Sequence, residues 1–248
     1  MKLLVSVANS EEALHALNGG ADLIDAKDPL RGALGPVSLE SLRNIYAGVA
    51  GRRIVTAALG DAVDEKSVER AAFDYGSVGV GFVKIGFADI ADREQIAHLI
   101  RAAVRGVRAT GHAGCGVVAV AYADTGGATS VERTALVDIA ACAGATGVLL
   151  DTAHKDGTDL LNLVSAAKLT SWVAIAHDAG LSVALAGKLT ADNFRLICET
   201  GADIVGVRGA ACDDGRSSRV TEGKVRRLTE SLQKLETPRG ALSAPLGS

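Results

Sequence analysis

Four lysines lie at or near the ends of apolar runs that predict β-strands: Lys27, Lys84, Lys155 and Lys188. Lysines usually lie on exposed surfaces, so this placement is unusual. Like charges gathered in one place repel each other unless anions or carboxylates offset them. Crowding also lowers the pKa of an amine, and a neutral amine can attack a carbonyl carbon. The pattern therefore predicts Schiff-base chemistry, phosphate binding, or both.

Carboxylates accompany two of these lysines. The segment Asp25-Ala26-Lys27-Asp28 follows an apolar run, and Asp151 and Lys155 repeat the combination later, with His154 beside them. Burying any of these charges requires a partner or a shifted pKa. The carboxylates can offset the lysine charges and move protons, and His154 can shuttle a proton.

Lys84 lies inside a predicted strand, in Phe82-Val83-Lys84-Ile85. Its alternate position predicts a side chain that points away from the surrounding helices. Lys27, Lys84 and Lys155 are therefore all candidates for the Schiff-base lysine.

Two later segments predict a phosphate site. Gly187-Lys188 precedes a predicted helix, and Arg208-Gly209 follows the last predicted strand. Backbone N–H groups at glycine turns and helix N-termini bind phosphate, and a cation strengthens the site. We expect all four residues, together with Asp28 and His154, to contact the substrate.

Eight apolar runs alternate with helical segments along the 248 residues. Aromatic residues are only 3% of a chain that is 48% hydrophobic, which is typical of parallel strands packed with Ala, Val, Leu and Ile. The count and order predict a TIM (β/α)8 barrel, with its site at the carboxyl ends of the strands. A doubly wound open sheet is the alternative, although no Gly-x-Gly-x-x-Gly follows the first strand. The predicted strands are Leu3–Val7, Ala21–Ala26, Arg53–Leu59, Gly81–Ile85, Gly114–Tyr122, Thr146–Leu150, Leu181–Ala186 and Asp203–Val207.

Helix boundaries follow from capping residues. Ser10, Ser38 and Ser130 are predicted N-caps, and one long helix is predicted over Asp159–Ala179. We expect residues 1–235 to form a single catalytic domain and residues 236–248 to form a flexible tail.

Composition argues against several classes of protein. The net charge of −3 disfavours nucleic acid as a partner, and no apolar run is long enough for a membrane span. The four cysteines form no Cys-x-x-Cys, and the histidines have no metal-ligand spacing, so we expect reduced thiols, a cytoplasmic protein, no metal and no cofactor. A homo-oligomer is left open.

Together these motifs resemble the (5-formylfuran-3-yl)methyl phosphate synthase family, and the resemblance spans residues 1 to about 235. The segments that carry it are Asp25–Pro29, Arg31–Gly35, Phe82–Gly86, Leu150–Gly157 and Ala186–Leu189.

The resemblance implies a class I aldolase-like barrel without a metal. It implies a carbon–oxygen lyase that joins two molecules of glyceraldehyde 3-phosphate into 4-(hydroxymethyl)-2-furancarboxaldehyde phosphate in methanofuran biosynthesis, with loss of one phosphate and two waters. By position, Lys27 is then the Schiff-base lysine and Lys84 the proton acceptor. Lys155, Asp25 and Asp151 are implied as supporting groups.

Two other functions stay open on the sequence. One is another metal-free phosphosugar barrel enzyme, such as an aldolase, decarboxylase or epimerase, since such enzymes also place Asp-x-Lys at a strand end. The other is a barrel that binds a phosphorylated metabolite without catalysis.

Overall fold

Eight parallel strands form a closed barrel in the computed structural model, which describes residues 1–112, 114–125 and 131–236. Each strand pairs with its neighbours in chain order, and β8 closes the barrel on β1. The predicted TIM barrel is thereby confirmed. The strands are β1 Lys2–Val7, β2 Leu23–Ala26, β3 Ile54–Asp61, β4 Phe82–Gly86, β5 Gly116–Tyr122, β6 Gly147–Asp151, β7 Ser182–Leu185 and β8 Ile204–Val207.

Helices connect the strands and cover the outside of the barrel. Short 3-10 turns lie at Pro29–Arg31, Ala191–Asn193 and Gly209–Ala211. Within the described residues, no helix combines the length and the apolar character needed to cross a membrane. The helices are α1 Ser10–Asn18, α2 Leu39–Val49, α3 Glu65–Gly76, α4 Arg93–Ala109, α5 Arg133–Ala143, α6 Leu160–Leu163, α7 Ala166–Asp178, α8 Phe194–Glu199 and α9 Glu222–Glu236.

The strand register brings polar side chains together inside the barrel. Ser6 of β1 lies opposite Asp25 of β2, and Asp25 lies opposite Thr56 of β3. On the next strand around the barrel, Lys84 of β4 lies opposite Ala58 of β3. Because side chains alternate along a strand, these residues share the inner face while Val5 and Ile24 face the helices.

Small side chains on β7 leave space inside the barrel. Val183 and Leu185 are fully buried against the helices. The alternate residues Ser182, Ala184 and Ala186 face inward and remain partly exposed. The interior is therefore hollow on this side.

Two helix predictions differ from the structure. Asn9, not Ser10, caps α1, because the extended Asn9 accepts the backbone N–H of Glu12 and the helix already includes Ser10. The single helix predicted over Asp159–Ala179 is wrong, since Val164 is extended and separates α6 from α7.

The other capping predictions have mixed outcomes. Ser38 caps α2 as predicted, by accepting the N–H of Ser41. Glu132 caps α5, whereas Ser130 lies outside the described residues. The predicted tail also lies outside them, apart from residue 236.

Candidate active site

A cavity of about 330 Å³ lies inside the barrel and extends to the loops that follow β7 and β8. On one side the residues that line it are small, with Ala184 of β7 and Gly206 of β8. Its charged lining comes from the opposite strands and from the mouth. The charged residues that line it are Asp25, Lys27, Lys84, Asp151, Lys155, Lys188, Arg208 and Arg216.

Asp25 is completely buried and accepts three polar contacts. Its Oδ1 lies 2.5 Å from Nζ of Lys84 and accepts the hydroxyl of Thr56 at 2.7 Å. Its Oδ2 accepts the hydroxyl of Ser6 at 2.9 Å. Burial alone would raise the pKa of Asp25, but the charges of Lys84 and Lys27 and the hydrogen bonds hold that pKa below 3.8. Asp25 is therefore a carboxylate that is fixed in place and forms an ion pair with Lys84.

Asp151, at the end of β6, is the centre of a second cluster. Its Oδ1 accepts Nζ of Lys155 at 2.7 Å and the N–H of Thr152 at 2.7 Å. Its Oδ2 lies 3.9 Å from Nζ of Lys27, which is beyond hydrogen-bond distance. Burial would raise the pKa of Asp151, but Lys155 and Lys27 hold it below 3.8.

Lys27 differs from Lys84, which is also buried, and from the partly buried Lys155. It follows β2 directly, and its side chain is only 9% exposed. Burial is the largest influence on its pKa, and Lys84 and Lys155 also lower it, while Asp151 and Asp25 oppose them. The net result is a pKa of about 8 instead of the ordinary 10.5. Lys27 is therefore a weakly paired amine that loses its proton near pH 8.

The loop after β7 has an unusual backbone at Gly187 and Lys188. Gly187 has φ +115°, and a Cβ there would lie 3.0 Å from Cγ2 of Thr152, so the position requires glycine. Lys188 adopts φ +57°, and its ammonium donates to the carbonyl of Gly157. Backbone strain of this kind occurs at binding sites, where surrounding contacts hold it in place.

Arg208 is buried, and every N–H of its guanidinium donates to the protein. Nε donates to the Arg216 carbonyl at 2.6 Å, and the two Nη atoms share four bonds. Nη1 donates to Glu12 at 2.9 Å and to the Ser6 carbonyl at 3.0 Å. Nη2 donates to Glu12 and to the Ser218 carbonyl, each at 3.2 Å. Arg208 thus has no donor left for a phosphate, contrary to its predicted role, because Glu12 and three carbonyls use them all.

The structure places two other predicted substrate-binding residues outside the cavity lining. Asp28 accepts the N–H of Leu30 at 2.9 Å and caps a 3-10 turn. His154 is largely exposed and lies beside Asp124, whose carboxylate accepts the N–H groups of Ala153 and His154 at 2.6 and 2.7 Å. Asp124 therefore holds the loop that carries Lys155.

Three residues without a predicted role also belong to the site. The hydroxyls of Ser6 and Thr56 were detectable as polar residues at inward positions of apolar strands. Arg216 lines the cavity from the loop after β8, where no local pattern marks it.

A further contact stabilises the barrel mouth beside the site. The hydroxyl of Tyr122 on β5 donates to Asp61 on β3 at 2.7 Å. Burial, together with the charge of Asp61, raises the pKa of Tyr122. Gly86 of β4 lies against both, and a Cβ there would lie 2.5 Å from Oη of Tyr122.

Amines and carboxylates are the main ionisable groups that line the inner part of the site. Within the described ranges, no three His, Cys, Asp or Glu side chains are arranged to hold a metal ion. The arrangement can form an imine, hold the resulting positive charge and move protons between neighbouring groups.

Residues 3–229 match the family model described as 4-HFC-P synthase. The chain belongs to the 4-HFC-P synthase family. The chain is also similar to named proteins over nearly its full length. The (5-formylfuran-3-yl)methyl phosphate synthase of Methanopyrus kandleri is 38% identical over 234 residues, which cover 93% of this chain and 98% of the relative. A putative (5-formylfuran-3-yl)methyl phosphate synthase of Streptomyces griseus is 38% identical over 218 residues, 87% of each chain. The family predicted from the motifs is confirmed.

Solved structures of other enzymes share the fold of this 4-HFC-P synthase family member. The 3-hexulose-6-phosphate synthase of Salmonella typhimurium superposes with a TM-score of 0.65 at 17% identity, covering 95% of this chain and all of that one. The phosphoribosyl anthranilate isomerase of Thermus thermophilus gives a TM-score of 0.64 at 14% identity, with the same coverage. At such identities the likeness concerns the barrel alone.

Proposed function

We propose that this protein is a (5-formylfuran-3-yl)methyl phosphate synthase that acts through a Schiff base on Lys27. The observation that carries the proposal is the difference in pairing among three lysines that line the cavity. Lys84 and Lys155 lie 2.5 and 2.7 Å from carboxylate oxygens, whereas Lys27 lies 3.9 Å from its nearest carboxylate and has a pKa of about 8. Lys27 is thus the amine best prepared to attack an aldehyde.

The proposed substrate is glyceraldehyde 3-phosphate, taken twice. Its aldehyde condenses with Nζ of Lys27 and releases water. The protonated imine withdraws electrons from the neighbouring carbon and acidifies its proton. Lys84 first gives a proton to the water that departs during imine formation, and as a neutral amine it then accepts the proton from carbon. Asp25 at 2.5 Å stabilises the ammonium that forms again.

Loss of phosphate from the adjacent carbon then consumes the electron pair released by the deprotonation. A proton shift converts the second triose to its 2-keto isomer, and the carbon of the first adduct that lost phosphate adds, as the nucleophile, to that ketone. The new C–C bond is therefore at the carbon that carries the CH2–O–phosphate group, as the substitution pattern of the furan requires. Ring closure, dehydration and release from Lys27 give the furan. Two trioses thus yield one (5-formylfuran-3-yl)methyl phosphate, one phosphate and two waters, as the atoms require. Asp151 and Lys155 lie next to Lys27 and can handle the protons of imine formation and hydrolysis. Methanofuran biosynthesis is the pathway that this product serves in our proposal.

The decisive experiment is incubation of the purified protein with glyceraldehyde 3-phosphate alone. We expect furan absorbance in the ultraviolet and release of one phosphate for each furan formed. Lys27→Met and Lys27→Arg should abolish both, and borohydride should attach the triose covalently to Lys27 of the wild type.

Two outcomes would favour the rival functions. A furan that accumulates without any trapped adduct would remove Lys27 as the nucleophile. Tight binding of the triose phosphate with neither adduct nor furan would identify a binding protein instead.

A further inference from the structure

Arg208 and Arg216 lie close together after β8 but differ in what their guanidinium groups contact. All five N–H groups of Arg208 donate to protein acceptors. For Arg216, one N–H donates to the carbonyl of Gly32 at 3.2 Å. The described residues accept none of its remaining guanidinium hydrogens, so Arg216 retains donors for a ligand.

Arg216 is also placed where a phosphate would be bound. It lines the cavity together with Gly187, Lys188, Gly209 and Ala210. A Cβ built on Gly209 would lie 3.8 Å from Cβ of Arg216, so the arginine lies directly over that turn. Gly209 and Ala210 begin a 3-10 turn, and the first N–H groups of such a turn have no carbonyl within it.

We infer that Arg216, held in place by Arg208, is the arginine that binds the phosphate group of a phosphorylated substrate. The inference rests on the proposed function for the identity of that substrate, but its ligand chemistry is simply a phosphate monoester or inorganic phosphate. Guanidinium groups bind phosphate through paired hydrogen bonds, which only an arginine with free donors can make.

Arg208 acts on the phosphate indirectly in this arrangement. Nε of Arg208 donates to the carbonyl of Arg216, and Nη2 donates to the carbonyl of Ser218. Because Arg208 is itself held by its ion pair with Glu12, these bonds fix the loop that carries Arg216. Arg208 is therefore a positioning residue.

The electrostatics agree with an anion at this point. Burial lowers the pKa of Arg216, and the neighbouring charge of Arg208 lowers it further, while the carboxylates of Asp151 and Asp156 oppose this and only partly offset it. Lys188 adds another cation at the same cavity mouth. A phosphate dianion beside these groups would offset their mutual repulsion.

The test is direct binding of inorganic phosphate to the resting protein, measured by isothermal titration calorimetry. We expect Arg216→Met to weaken binding about 10- to 100-fold, since a hydrogen bond to a charged group has that effect. Arg216→Lys keeps the charge but not the paired donors, so we expect an intermediate loss. Arg219→Met is the matched control, because Arg219 is exposed and pairs with Glu11 and Asp213 outside the cavity, and phosphate affinity should stay within about twofold.

Two results would overturn the inference. One is an Arg216→Met protein that melts like the wild type and binds phosphate equally well. The other is an Arg208→Met protein that remains folded and loses phosphate affinity while Arg216→Met keeps it. Phosphate binding needs no turnover, so it tests the inference separately from the proposed function. A protein that binds phosphate through Arg216 but forms no furan would refute the proposed function and leave the inference standing.

Discussion

Lys27 provides the sharpest test of the site, because its titration should respond in opposite directions to two neighbouring changes. Asp151→Asn removes a carboxylate that favours the ammonium form, so we expect the pKa of Lys27 to fall. Lys155→Met removes a cation that disfavours the ammonium form, so we expect the pKa to rise. Asp151 lies 3.9 Å from Lys27 and 2.7 Å from Lys155, so both substitutions change charges close to Lys27.

The size of the effect follows from the geometry. With a pKa of about 8 in place of 10.5, the neutral fraction of Lys27 at pH 7 is about 300-fold larger than that of an ordinary lysine. Two unit charges 3.9 Å apart interact by about 4 kcal/mol at an effective dielectric constant of about 20. About one third of that interaction energy is enough to shift the pKa of Lys27 by one unit. Asp151→Asn should therefore produce a clear shift even if Lys155 moves to offset part of it.

Competitive labelling of amines measures this titration without requiring turnover. The protein is treated with traces of acetic anhydride across pH 6 to 11, and mass spectrometry reports the labelling of each lysine. The exposed Lys66 provides an internal reference for the reactivity of the reagent. We expect labelling of Lys27 in the wild type to reach half its maximum near pH 8. Labelling that still rises steeply at pH 10, or a midpoint that moves upward in Asp151→Asn, would refute the reasoning.

Three further changes test the surroundings of the site. Lys84→Met should lower the free energy of unfolding by roughly 3–5 kcal/mol in urea at pH 7, because it leaves the buried carboxylate of Asp25 unpaired, and adding Asp25→Asn should restore much of the loss. Gly86→Ala should cost about 1–3 kcal/mol in thermal unfolding, because the added methyl group would lie 2.5 Å from the hydroxyl of Tyr122, and an unchanged melting temperature would contradict that packing. Asp124→Ala should speed hydrogen exchange at the two backbone N–H groups that it accepts, whereas unchanged exchange there would show that the loop after β6 is held by other contacts.

The barrel and its inward lysines were predictable because both depend on local patterns. Apolar runs of strand length alternate with helical segments, and alternation within a strand decides which side chains face inward. Lys84 illustrates this, since its position between Val83 and Ile85 predicts the buried, inward side chain that the structure shows.

Local patterns failed where a distant residue decides the outcome. Arg208 follows a strand and precedes a glycine, which is a reasonable pattern for a phosphate site. Glu12, 196 residues earlier, takes up two of its N–H groups, and nothing near Arg208 in the sequence indicates this. The break at Val164 was unpredicted for a different, local reason. The apolar spacing continues through it, and Ser165 at the N-cap position of α7 is the only local sign of a new helix.

The charge balance of the cluster explains why one lysine differs from the others. Lys27, Lys84 and Lys155 share the cavity with Asp25 and Asp151, so one positive charge would remain in this cluster if all three lysines were protonated. Because Lys84 and Lys155 are tightly paired, the unmatched charge falls on Lys27, and loss of its proton balances the cluster. Iminium formation then restores a positive charge about where the ammonium was, close to Asp151. The same carboxylate that raises the pKa of the free amine therefore stabilises the iminium. We accordingly expect Asp151→Asn to form the trapped adduct at lower pH than the wild type and yet to produce furan more slowly. A variant that gained in both respects would show that Asp151 acts on the resting lysine only.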